Sequence, residues 1–212
     1  MIKSKLKGLY AITDRTLMPN NEQMLDSVMQ AISGGASIIQ YRDKSTDQQV
    51  RLHQAQQLVA LCHKHDVLLL INDDTQLAFA SGADGVHLGQ SDGAITSARS
   101  LLGDKAIIGI TCHDQLSLAD MGIKDGADYI AFGAFFASQT KPNATPAPLS
   151  LLQDAKQRFN CPIVAIGGIT VDNAQQIIAQ GADMIAVIHA LFAAPNIEKQ
   201  AQHFSALFAS HS

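Results

Sequence analysis

Two acids, two cations and an amide dominate the chemistry that this chain can perform: Asp73, Asp92, Arg42, Lys44 and Gln40. The cations stand in Gln40-Tyr41-Arg42-Asp43-Lys44, and the acids in Asn72-Asp73-Asp74 and Gly89-Gln90-Ser91-Asp92. An Arg grips an anionic group through a bidentate fork, and a Lys supplies a mobile point charge. If strand conformation continues past Tyr41, Gln40, Arg42 and Lys44 share one face. The competing reading is a solvated rim on which both cations pair with Asp43 or Asp47. Two carboxylates about 4 Å apart repel by about 4 kcal/mol at an effective dielectric of about 20, unless a proton or a cation separates them. Mg²⁺ takes one or two carboxylates, several waters and phosphate oxygens, so Asp73 and Asp92 beside Arg42 and Lys44 point to a metal-pyrophosphate site. Asp74 and Asp92 also fit a second role, as helix N-caps ahead of Thr75 and Gly93.

Other groups suit a second anion. Gly167-Gly168-Ile169-Thr170 and Ile188-His189-Ala190 follow two successive apolar runs, where free backbone N–H groups and a short helix N-terminus can hold a phosphate. As an alternative, the Gly pair only permits a tight turn. Ser138-Gln139-Thr140-Lys141 adds hydroxyls and a cation within 135–148, a long Pro-, Ala-, Thr- and Asn-rich connection of the kind that forms lids and binding loops. His87 and His113 are candidate proton carriers, with a structural role as the competing reading.

The elements that bring these residues together are marked by a repeated phrase. Gly-Ala-Asp followed by a short apolar run occurs at Gly82, Gly126 and Gly181, with a variant at Gly35-Ala36-Ser37, and each copy ends a helical pattern and begins a strand. Spacings of about 45 to 55 residues hold two strand-helix units each, so the copies mark strands two, four, six and eight of an eightfold array. The strands expected are Leu9 to Thr13, Ser37 to Tyr41, Val67 to Ile71, Gly85 to Leu88, Ala106 to Thr111, Tyr129 to Phe132, Ile163 to Ile166 and Met184 to Ile188. Helices are expected between them, among them Asp47 to His65 with an apolar stripe of Val50, Leu52, Leu58, Val59 and Leu61, and a last one over Glu198 to Ala209. This is an α/β chain, a single (β/α)8 TIM barrel over residues 1–212, in which catalytic groups belong at the C-terminal ends of the strands. Gln40, Asn72, Thr111 and the acids fall there.

Composition narrows the class further. A net charge of −4 with only isolated cations argues against nonspecific nucleic-acid binding. Apolar runs such as Val67 to Ile71 are far too short to span a bilayer, and no apolar signal segment follows Met1 to Lys7, so a cytoplasmic enzyme is expected. Cys62, Cys112 and Cys161 are odd in number and widely separated, which suits reduced, mostly buried thiols.

These residues resemble the thiamine-phosphate synthase family over nearly the whole chain. The resemblance rests on Leu9-Tyr10-Ala11-Ile12-Thr13-Asp14, Gln40 to Lys44, Asn72-Asp73-Asp74, Asp84-Gly85-Val86-His87-Leu88-Gly89-Gln90-Ser91-Asp92, Thr140-Lys141 and Ala165-Ile166-Gly167-Gly168-Ile169. It implies that Gln40, Tyr41, Arg42, Asp43, Lys44, Asn72, Thr111 and Lys141 bind a pyrimidine diphosphate, with Mg²⁺ on Asp73 and Asp92. It also implies that Ser138, Gln139, Thr140, Gly168, Ile188 and His189 receive a thiazole phosphate. The substrates are then small molecules, and a homo-oligomer is compatible with the family.

The reaction implied is departure of pyrophosphate from the pyrimidine methylene, eased by Mg²⁺, Arg42, Lys44 and Lys141, followed by attack of the thiazole nitrogen. No covalent enzyme intermediate is required. Four positions depart from the family pattern: Thr111 and His189 stand where Ser is usual, Ser138 where Thr is usual, and Ala134 where Pro commonly follows Gly133. The first and third keep a hydroxyl, whereas His189 replaces one with an imidazole. Two alternatives compete with synthesis: a thiazole tautomerase-like isomerase, which shares the Gly-Gly turn but generally lacks the paired acids, and a noncatalytic binding protein for phosphorylated thiamine precursors.

Overall fold

The computed structural model describes residues 5–137 and 146–209. Eight parallel strands close in sequence order into a barrel: β1 Gly8–Ile12, β2 Ala36–Tyr41, β3 Leu68–Asn72, β4 Gly85–Leu88, β5 Ile107–Thr111, β6 Tyr129–Phe132, β7 Ile163–Ile166 and β8 Met184–Val187. The helices outside it are α1 Asn21–Ser33, α2 Gln48–Lys64, α3 Thr75–Ser81, α4 Ile95–Leu102, α5 Leu116–Lys124, α6 Ser150–Arg158, α7 Val171–Ala179, the short α8 His189–Phe192 and α9 Ile197–Ala209. No helix among the described residues is long and apolar enough to cross a membrane.

The Gly-Ala-Asp phrase works as a set of clamps. The Asp84 carboxylate accepts from the Leu69 N–H of β3 at 2.7 Å and lies 3.1 Å from His63 Nε2 on α2. Asp128 accepts from the Ile108 N–H of β5 at 2.9 Å and from Arg99 on α4 at 2.7 Å. Asp183 accepts from the Ile163 N–H of β7 at 2.9 Å and from Lys156 on α6 at 2.7 Å. Each acid stands just before an even-numbered strand and ties the start of the preceding strand to the helix that leads into it. In the fourth copy Ser37 donates to the Lys7 carbonyl ahead of β1.

Along every strand side chains alternate between two apolar layers, as the period of two demands. Tyr10, Ile12, Ile38, Leu68, Leu70, Ile107, Tyr129, Val164, Met184 and Ala186 fill the barrel. Leu9, Ile39, Tyr41, Leu69, Ile71, Val86, Ile108 and Ile185 pack outward against the helices. Gln40, Asn72, His87 and Thr111 therefore take inward positions near the strand C-termini.

Three expectations need correction. Strand two ends at Tyr41, so Arg42 and Lys44 lie on the loop rather than on one continuous strand face. The buried stripe of α2 is Ala55, Leu58 and Cys62; Val50, in its first turn, is 43% exposed because it lies well around the helix from that stripe. Asp92 caps no helix, since α4 begins after Ala94 without a side-chain cap. Cys62 and Cys112 are buried free thiols and Cys161 is a half-buried one.

Candidate active site

At the C-terminal end of the barrel the β1–β2 ladder runs one step beyond the strands. Thr13 N–H donates to the Gln40 carbonyl at 2.9 Å, and the buried Thr13 hydroxyl accepts from Arg42 N–H at 2.9 Å. That bond fixes where the Arg42-Asp43-Lys44 loop departs. The Asp43 carboxylate folds the loop by accepting from Ser45 N–H at 2.6 Å and faces Arg15 at 3.8 Å. Asp47 caps α2 by accepting from Val50 N–H at 3.0 Å. The acids offered as rim partners are thus engaged elsewhere, and Arg42 and Lys44 make no ion pair among the described residues. Tyr41 points into the outer layer, where its hydroxyl donates to Gln54 at 2.7 Å and lies 3.5 Å from the Asp43 carboxylate.

The next strand brings the acids. Asn72 ends β3, and Asp73 turns in the left-handed region with φ 63°, its N–H donating to the His87 carbonyl at 2.8 Å. A non-glycine residue in that region costs energy that the surrounding structure must offset, and such residues cluster at functional sites. His113, after β5, is similar at φ 51°. Asn72 donates to the Asp73 carboxylate through its side-chain amide. From the β4 loop, Asp92 is held by accepting from Gly89 N–H at 2.9 Å and faces Asp73. Burial first, and then the neighbouring Asp92 carboxylate, raise the Asp73 pKa above the ordinary 3.8, while Lys44 and the Asn72 amide lower it. Two carboxylates are therefore held together with no ion pair to either among the described residues.

Asp74 takes no part in that pairing. It caps α3, accepting from Leu77 N–H at 2.9 Å, and pairs with Arg51 of α2 at 2.9 Å. Arg51 has no distinguishing motif around it, and the sequence reading missed it; only the approach of α2 to α3 brings it to the mouth. A cavity of about 290 Å³ there is lined by Asp43, Lys44, Ser45, Arg51, Asn72, Asp73, Asp74 and Asp92. A larger one of about 620 Å³ opens at the opposite end of the barrel, among residues such as Lys5, Gly8, Ser37 and Asp66, away from the strand C-termini.

Thr111 ends β5 beside this mouth. Its hydroxyl lies 2.9 Å from His87 Nε2, and its carbonyl accepts from the Gln90 side chain, which links the β4 loop to β5. His87 is half-buried, and loss of hydration pushes its pKa down to about 4.

The second anion region sits on the adjoining strands β7 and β8, paired at Ile166 and Ala186. Gly167 and Gly168 adopt φ 103° and 64°. A Cβ on Gly168 would fall 2.4 Å from the Ala137 carbonyl oxygen, so the turn packs tightly against the chain after β6. Ile188 precedes α8, and His189 is its exposed first residue. Ser138, Gln139, Thr140 and Lys141 lie outside the described residues.

Comparison with known proteins identifies the family and the fold. The family model described as thiamine monophosphate synthase matches residues 9–191. The chain is 56% identical over 194 residues to a thiamine-phosphate synthase of Saccharophagus degradans, covering 92% of this chain and 89% of that one. It superposes with a TM-score of 0.89 and 34% identity on a thiamine phosphate pyrophosphorylase from Pyrococcus furiosus, covering 99% and 98% of the two chains. A 3-hexulose-6-phosphate synthase from Salmonella typhimurium, at 19% identity and a TM-score of 0.71, covering 97% of this chain and all of its own (100%), shares the fold.

Proposed function

The chain belongs to the thiamine monophosphate synthase family, so it joins a pyrimidine diphosphate to a thiazole phosphate with release of pyrophosphate, and we propose that it does so around Mg²⁺ held by Asp73 and Asp92. The observation that carries this reading is the Asp73–Asp92 pair, whose mutual proximity and burial disfavour a second negative charge until a cation arrives. Among the described residues no group of three or more His, Cys, Asp or Glu is placed to hold a metal. Two carboxylates and a set of substrate oxygens and waters is, however, a ligand set that Mg²⁺ favours. Bound there, the ion would neutralise charge developing on the departing pyrophosphate.

The remaining work falls to the chain. Arg42 and Lys44, unpaired among the described residues, are available to the diphosphate, and Lys141 completes the cationic set that the resemblance implies. Because these charges are fixed before reaction, they stabilise the leaving group with little reorganisation. Asn72 and Thr111 point inward to orient the pyrimidine. The turns at Gly168 and Ile188-His189 offer backbone N–H groups to the thiazole phosphate and hold the attacking nitrogen in line with the methylene carbon. The two alternatives, a tautomerase and a noncatalytic binder, find no support in the comparisons.

Pyrophosphate release provides the test. It should require both substrates together and Mg²⁺, and it should stop on chelation and resume on adding the metal back. Release that persists at full rate in excess chelator would overturn the metal assignment. Isomerisation of a thiazole phosphate without pyrophosphate release would overturn the synthase reading.

A further inference from the structure

Beneath Thr111 a chain of polar side chains crosses the otherwise apolar barrel interior. The Gln40 amide nitrogen donates to the Tyr10 hydroxyl. Tyr10 and Tyr129 hydroxyls lie 3.0 Å apart, Tyr129 hydroxyl lies 2.8 Å from His87 Nδ1, and His87 Nε2 lies 2.9 Å from the Thr111 hydroxyl. Five residues from five strands thus form one line, sealed at the Gln40 end and open at the Thr111 end. Gln40, Tyr10 and Tyr129 are at most 2% exposed, whereas His87 and Thr111 are half-buried.

The line has a direction. A Gln amide nitrogen only donates, so the Tyr10 oxygen receives that proton and must pass its own to the acceptor beside it, which is Tyr129. Tyr129 in turn must donate to His87 Nδ1. The imidazole is left with its proton on Nε2, from which it donates to Thr111. In the opposite direction the Tyr10 hydroxyl would accept twice, and its own buried proton would have no acceptor, a loss of about 1 to 3 kcal/mol.

The barrel is shaped around this line. The Tyr129 ring occupies the space over Gly109, where a Cβ would fall 2.0 Å from Tyr129 Cζ. The ring stacks on His87 at 5.5 Å between centroids and meets Tyr10 edge-on at 6.2 Å.

We propose that Tyr129, Tyr10 and His87 are positioning residues that hold the Thr111 hydroxyl with its oxygen already satisfied by a donor and its proton turned toward the mouth, so that Thr111 donates to an acceptor atom of the bound pyrimidine diphosphate. This rests on the reading that Thr111 touches that substrate. A hydroxyl free to rotate would have to be oriented in each encounter; one set by the line is aimed before substrate arrives.

The test combines a spectroscopic and a kinetic measurement on the intact enzyme. In the substrate-free protein, ¹⁵N shifts of the imidazole should report His87 protonated on Nε2, and Tyr129→Phe should turn that single tautomer into a mixture while the circular dichroism spectrum stays unchanged. Thr111→Val should lower kcat/KM for the pyrimidine diphosphate roughly tenfold, the scale of one directed hydrogen bond. Tyr129→Phe should produce most of that loss, and the double variant should be no worse than Thr111→Val alone. Tyr10→Phe should give a smaller loss of the same kind and serves if Tyr129→Phe does not fold. A His87 protonated on Nδ1, or losses from Tyr129→Phe and Thr111→Val that multiply, would overturn the proposal while leaving Thr111 in the site. Unchanged kcat/KM in Thr111→Val would instead remove Thr111 from the substrate and overturn both.

Discussion

Asp73 and Asp92, proposed as the metal ligands, work against the fold that carries them. Burial and their proximity raise the Asp73 pKa, so the metal-free protein bears an unfavourable charge pair. Asp92→Asn should therefore raise the thermal midpoint of the metal-free protein and, in the same molecule, lower Mg²⁺-dependent turnover more than tenfold. A midpoint that falls with activity per folded molecule unchanged would assign Asp92 a structural role. His87 gives a pH dependence with a defined sign. Its pKa is lowered from 6.5 to about 4 in the fold, so the unfolded chain takes up the proton first. The stability contributed by the neutral imidazole, about 3 kcal/mol by the size of that displacement, is present above pH 6.5 and is lost as pH falls toward about 4. Denaturant titrations of the native protein and His87→Asn across that window should converge as the pH drops. His189, exposed at the start of α8, makes a weaker demand. If backbone donors hold the thiazole phosphate, His189→Ser should alter its affinity only a few-fold, within about 1 kcal/mol, and leave the pyrimidine diphosphate unaffected in calorimetric titrations.

The strand-helix units owe their registration to the carboxylates before β4, β6 and β8. Asp128 is the most deeply placed, its side chain only 4% exposed, and it serves both a β5 amide and Arg99. Removing it strands a buried N–H and a guanidinium together, so Asp128→Ala should cost about 3 kcal/mol. For a chain of this size the thermal midpoint should drop by roughly 6 to 12 °C, a shift that calorimetry reads directly. The same phrase explains why the barrel was legible in the sequence: a local signal, Gly-Ala-Asp before an apolar run, coincides with a local structural duty. Asp73 and Asp92 were also legible as a pair, because strand ends bring adjacent loops together. What depended on contacts between distant segments was not. The competing reading of Asp92 as a cap fails because α4 begins after Ala94, and no local motif marks Arg51, which only the packing of α2 on α3 sets against Asp74. Tyr10, Tyr129 and Gly109 are unremarkable apart, and only barrel closure aligns them. Tyr41 was included as part of a contiguous phrase, whereas strand alternation sends its side chain to the opposite layer from Gln40.

Across the barrel as a whole, every strand is hydrogen-bonded to both neighbours, yet the eight seams are not equal. The clamps span β3 to β4, β5 to β6 and β7 to β8, and Ser37 spans β1 to β2, so alternate seams have a side-chain fastening in addition to their ladder. The intervening seams, β2 to β3, β4 to β5, β6 to β7 and β8 to β1, close at their N-terminal ends through the backbone ladder, although His87 and Thr111 also meet across β4 to β5 near the mouth. In native-state hydrogen exchange the amides of Leu69, Ile108 and Ile163 should accordingly be among the slowest, and amides bridging the intervening seams should exchange sooner, through sub-global opening. The ring would then loosen as four doublets rather than eight staves. Uniform protection around the circumference would show that the carboxylates add nothing to the ladder. The pair proposed to hold Mg²⁺ bears on this directly, because Asp73 and Asp92 lie on the loops after β3 and β4, within a single doublet. Loosening between doublets could therefore admit or release substrates at the mouth while the two carboxylates keep their spacing.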